Sequence, residues 1–183
     1  MITSIDRAVH NYFFFKHPFF KTSADDKLKW MPFGLLFIAD MLGAKTKSGW
    51  KKQVLTAGAA EAIKYLLSDN LKKLTQQRRP APYTGNHSFP SGHTCTSFST
   101  AEMLHSELKD SLPLLSYSGY AAATAVAAIR IMKNRHWLKD VVVGVAAPNG
   151  RPTESTLSLH RAGSFGPCRG RIVFFTPGLN RFN

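Results

Sequence analysis

Apolar positions recur along this chain at helical spacing. From Val54 to Leu74, residues Leu55, Ala59, Ala62, Ile63, Leu66, Leu67, Leu71 and Leu74 fall largely on one stripe, with Glu61, Lys64 and Asp69 on the other face. That pattern predicts a long helix. Thr94 to His105 predicts a second helix, rich in small residues. Ser111 to Ile129 runs for nineteen residues without a charge and is the best span candidate. Its Gly119, Ala121, Ala122, Ala123, Ala125, Ala127 and Ala128 suit close helix packing in a membrane. The core helix of a soluble protein is the competing reading. Trp30 to Gly43 is also apolar, but at fourteen residues with Asp40 inside it is short for a span.

The intervening stretches set the organisation. Residues 1–29 read as an interfacial N-terminal segment and linker: aromatics Tyr12 to Phe15, Phe19 and Phe20 are broken by Lys16, His17 and Pro18, and Asp25, Asp26, Lys27 and Lys29 follow. A helix docked on a soluble core is the other reading of that segment. Lys45, Lys47, Lys51 and Lys52 form a basic loop of the kind that favours the cytoplasmic side. Residues 30–147 read as one helical bundle. From Pro148 to Asn183, Arg, Gly, Pro and Ser dominate. This predicts an irregular tail, disordered or translated from a shifted reading frame, and a last helix cut short.

Charge and cysteine content narrow the partners. The 183 residues hold 24 Lys+Arg against 11 Asp+Glu, a formal net charge of +13. That excess favours phosphates, acidic headgroups or nucleic acid. Cys95 and Cys168 make no disulfide framework, and no zinc-type spacing appears. The first residues carry no cleavable leader pattern.

The candidate chemistry centres on Phe89-Pro90-Ser91-Gly92-His93, which leads straight into a helix. A helix N-terminus offers free N–H groups and the positive dipole end to an anion. Gly92 permits close backbone approach, Ser91 adds a hydroxyl and His93 titrates near neutrality. In isolation this is an ordinary turn and cap. Its company makes the difference: Lys72 is followed after six residues by Arg79-Pro80, and Arg130 after five by His136, then after three by Asp140.

Lys72-x6-Arg79-Pro80, Pro90-Ser91-Gly92-His93 and Arg130-x5-His136-x3-Asp140 together resemble the three signature motifs of the type 2 phosphatidic acid phosphatase superfamily. One departure is Ile129, where the family often has Ser before the third-motif Arg. The resemblance implies an all-α, membrane-embedded helical bundle of that kind. It implies a metal-independent phosphatase, without cofactor, that hydrolyses a phosphomonoester or pyrophosphate of a membrane lipid through a phosphohistidine. His136 would be the nucleophile, Asp140 its orienting carboxylate, four residues on along one helix face and in direct hydrogen-bond reach, and His93 the acid and base. Lys72, Arg79, Ser91, Gly92 and Arg130 would bind the phosphate. The runs Asn86 to Thr94 and Asn134 to Val141 look like bacterial lipid phosphatases, including those acting on lipid A. That implies a multi-pass protein of the bacterial inner membrane with its site facing the periplasm. A soluble acid phosphatase of the same superfamily and an inactive truncated member are the alternatives. Nucleic-acid binding rests on net charge alone, and no nucleic-acid partner is expected.

Overall fold

The computed structural model describes residues 2–17 and 20–146. Seven helices and no strand occur among them: α1 (Ser4–Lys16), α2 (Ala24–Leu28), α3 (Met31–Met41), α4 (Trp50–Thr75), α5 (Gly92–Leu108), α6 (Pro113–Met132) and α7 (Leu138–Ala146). The tail expected from Pro148, and the shortened last helix with it, lie outside the described residues.

Local chemistry accounts for several boundaries. The Thr3 hydroxyl accepts from the Asp6 amide at 3.1 Å while the Asp6 carboxylate accepts from the Thr3 amide at 2.9 Å, a reciprocal box that starts α1. Pro32 and Pro113 sit in the first turns of α3 and α6, where a missing N–H costs nothing. At the end of α6, Asn134 takes a left-handed conformation (φ 54°), which its short side chain tolerates. The turn then brings His136 back alongside Arg130.

Helix α5 is the axis. It packs most extensively on α6 and also against α3, α4 and α7. The α5–α6 seam is tight because Gly119 has no side chain: a Cβ there would stand 3.0 Å from Leu104 Cδ2 and 3.1 Å from Ala101 Cα. Leu36, Ala39, Leu104 and Leu108 form a small apolar cluster at the end of the bundle away from Gly92. Most of the remaining interior is polar, with Ser68, Thr94, Ser97, Thr100 and Ser116 buried. Many large apolar side chains lie on the outside. On α4 the buried residues are Gln53 and Ser68, whereas Leu55 is 74% and Leu74 is 81% exposed.

One expectation changes. The polar stretch at Asp25 to Lys29 is not a loose linker: residues 24–28 form α2, packed on α3, α5 and α6. Helix α1 likewise docks on α6 and α7, with Asp6 accepting from the Lys139 amide at 3.0 Å and His10 meeting the Asn134 side chain at 3.0 Å.

Candidate active site

The helix ends carrying the three motifs converge. Lys72 lies in the last turn of α4, Gly92 and His93 open α5, and Arg130 closes α6. His136 lies in the turn between α6 and α7.

His136 is 4% exposed. Its Nδ1 stands 2.7 Å from the Ser88 carbonyl, which can only accept, so Nδ1 carries the proton. Nε2 is thereby left with its lone pair, 3.2 Å from Arg130 Nη2. Burial holds this imidazole's pKa down at about 4, outweighing the upward pull of Asp140, with the Arg130 and Arg79 charges adding to the lowering and Ser88 opposing it. A neutral imidazole with an unprotonated Nε2 is the form a nucleophile needs, and here that nitrogen accepts from Arg130.

Asp140 departs from the expected direct bond to His136. The expectation put both residues on one helix. His136 instead precedes α7, and Asp140 Oδ2 stands 3.9 Å from Nδ1, beyond hydrogen-bond reach. Its oxygens accept from Ser88 Oγ at 2.5 Å, the Trp137 amide at 3.0 Å and Gln77 Nε2 at 2.8 Å. Asp140 is thus linked to His136 through Ser88, whose hydroxyl it holds and whose carbonyl faces the ring.

Ser91 also departs from expectation. Its hydroxyl is fully buried and shares a 2.9 Å hydrogen bond with Thr94 Oγ1, so it does not face an open seat. Its amide donates to the Asp140 carbonyl at 3.1 Å. The next amides, those of Gly92, His93 and Thr94, have no acceptor among the described residues. These are the free N–H groups of the α5 terminus, and the Lys72 ammonium lies 4.0 Å from where a Gly92 Cβ would be.

Further cations lie on the other motifs. Arg79 donates to the Arg135 carbonyl at 3.3 Å and the His87 carbonyl at 3.4 Å. Burial, with Arg130 and Arg135 close by, lowers its pKa. Arg135 stacks on Tyr83 at 4.1 Å from the ring centre. Arg130 Nη1 is paired with Asp25 at 2.8 Å, and Arg130 Nε is buried with no partner among the described residues. His93 Nε2 meets Asp26 at 2.7 Å and Lys29 at 3.4 Å.

Sequence reasoning missed Ser88, Gln77, Arg135, Asp25 and Asp26. Only the acidic pair gave a signal, as two adjacent carboxylates in a strongly basic chain. Asp25, Asp26 and His93 bring ligand atoms within 4.8 Å of one another, a spacing a metal ion can use. The fit to a cation is poor: Asp25 spends its oxygens on Arg130 and on Lys133, at 2.8 and 2.9 Å, and the Lys29 ammonium stands beside His93.

The PAP2 superfamily model matches residues 53–147, just over half of the 183. The chain belongs to this superfamily. It is 31% identical over 128 residues to the lipid A 1-phosphatase of Porphyromonas gingivalis, a match covering 69% of this chain and 28% of that relative. The chain thus spans well under half the length of this curated relative. The PAP2 helical fold is also that of the crystal structure of LpxE from Aquifex aeolicus. The similarity there has a TM-score of 0.54 at 21% identity and covers 82% of this chain and 93% of that one.

Proposed function

We propose that this PAP2 member is a metal-independent phosphatase that hydrolyses a phosphomonoester or pyrophosphate of a membrane lipid through a phosphohistidine. The observation that carries the reading is His136: a buried neutral imidazole, its Nδ1 tied to Ser88 and its Nε2 lone pair facing the Arg130 guanidinium. The phosphoryl dianion sits against the Gly92 and His93 amides, Lys72, Arg79 and Arg130, whose charges stabilise the transition state in place of a metal. Nε2 attacks phosphorus as the bond to the lipid oxygen breaks, and His93 gives that oxygen a proton. Water, deprotonated by His93, then attacks the phosphoryl group. The P–N bond breaks and inorganic phosphate leaves.

Membrane embedding is supported by the inverted distribution of polarity. Helix α6 is long and apolar enough to cross a bilayer, and α4 turns apolar residues outward. The basic loop at Lys45–Lys52 lies at the end of the bundle opposite the site, since α3 and α4 run between the two. Lysines favour the cytoplasmic side, so the site faces the periplasm of a bacterial inner membrane. The lipid A phosphatase name of its relative makes a lipid A-type phosphate the first substrate to try.

The test is phosphate release from a panel of lipid phosphates by the full chain in detergent micelles. Release that persists in EDTA and is inhibited by vanadate is expected. Loss in EDTA restored by a divalent cation, or no release from any lipid phosphate, overturns the reading.

A further inference from the structure

Asp25 and Asp26 lie outside the residues 53–147 that the family model matches. Helix α2 is only five residues long, yet its adjacent carboxylates serve different halves of the site. Asp25 is fully buried and bridges Arg130 Nη1 at 2.8 Å and Lys133 Nζ at 2.9 Å. Asp26 is largely exposed and meets His93 Nε2 at 2.7 Å. Successive helix residues point about 100° apart, so one turn can reach both α6 and α5.

Each contact fixes a group used in the chemistry. Arg130 Nη2 faces His136, and its Nε has no partner among the described residues. The ion pair from Asp25 to Nη1 therefore aims the planar fork at Nε2 of His136. A carboxylate only accepts, so the 2.7 Å contact with Asp26 puts a proton of His93 on Nε2 and leaves Nδ1 for transfer; the Lys29 ammonium, a donor 3.4 Å from the same atom, is then a neighbouring charge and not a hydrogen-bond partner. The other charged groups around His93 are Lys29 at the end of α2, at 3.4 Å, Asp25 on α2 and Arg130 on α6. Acidic residues in a first turn also suit the helix dipole, but that role needs neither partner.

We infer that α2 is part of the active site, with Asp25 the positioning residue for Arg130 and Asp26 the positioning residue for His93. The inference rests on the phosphatase reading above. As the P–O bond breaks, Nδ1–H passes its proton to the leaving oxygen, and the Asp26 charge supports the imidazolium that precedes this step. Nδ1 takes a proton back from water in the second step. Neither carboxylate touches the phosphate.

The test compares Asp25→Asn, Asp26→Asn and a control, Asp110→Asn, whose partner Lys47 is in the distant basic loop. Each is assayed as the full chain in micelles with a lipid phosphate and with p-nitrophenyl phosphate. Asp26→Asn is expected to lose tenfold or more on the lipid phosphate, whose alkoxide needs a proton, and much less on the nitrophenyl ester, within the range of general acid catalysis. Asp25→Asn is expected to lose activity on both alike, and Asp110→Asn on neither. A second readout needs no turnover. In histidine-labelled protein, the NMR titration of His93 shifts to lower pH in Asp26→Asn and stays put in Asp110→Asn. Equal losses on both substrates for Asp26→Asn, or an unmoved His93 titration, overturn the inference while leaving the phosphatase reading intact. Wild-type protein that releases no phosphate overturns that reading, and the His93 titration still decides the Asp26 contact.

Discussion

At the scale of single residues, His136 concentrates the account. Its folded pKa of about 4 lies below the 6.5 of an unperturbed imidazole, so the native chain binds fewer protons than the unfolded chain between those values. The stability this supports is complete above pH 6.5 and is lost as pH falls toward 4, by up to about 3 kcal/mol. Thermal unfolding in micelles at pH 5 and pH 7 should show the wild type markedly weaker at the lower pH, and His136→Asn should flatten that difference. An equal pH response in both proteins contradicts the buried neutral imidazole. The sequence named the histidines, basic residues and Asp140 by spacing. It did not reveal that the Ser88 carbonyl holds His136, because a backbone acceptor leaves no trace in residue identity.

At the scale of elements, the site depends on how closely α7 lies on the start of α5. A Cβ on Gly144 would fall 2.9 Å from Thr94 Cβ and 3.1 Å from the Ser91 carbonyl. Neither atom is the end of a flexible side chain, so the turn carrying Gly92 and His93 would have to move. Gly144→Ala is predicted to cost about 1–3 kcal/mol and to depress phosphate release by more than its stability loss explains. Unchanged melting and unchanged release would show that the turn has slack. Helix α4 was legible from its apolar spacing, α5 from its run of small residues and α6 from nineteen residues without a charge. Helix α2 was not: five residues, three of them charged, are too few to show a periodicity, and the tertiary partners Arg130, Lys133 and His93 hold them in place. The direct His136–Asp140 pair was misread for a related reason. The i, i+4 spacing implies adjacency only if both residues are helical, and α7 begins at Leu138.

At the scale of the whole molecule, the described residues put polar groups inside and large apolar side chains outside. In water such a surface would expose Leu55, Ile63, Leu66, Leu67 and Leu74 along one helix. In a bilayer it is the expected order. Membranes carrying the full chain should therefore retain it through an alkaline carbonate wash, and release into the supernatant would contradict embedding. Inside this shell, Lys72 lies by the open amides of α5, Arg79 lies close to Arg130 and Arg135, and the Asp25 and Asp140 carboxylates are already committed, a setting that suits the proposed anion. The most direct test of the central claim is to trap the covalent intermediate. Wild-type chain incubated briefly with a phosphorus-32-labelled lipid phosphate and quenched in alkali should carry label on the peptide containing His136, stable to base and labile to acid. The label should vanish in His136→Ala. Label on another residue, or wild-type phosphate release by His136→Ala, would contradict the account.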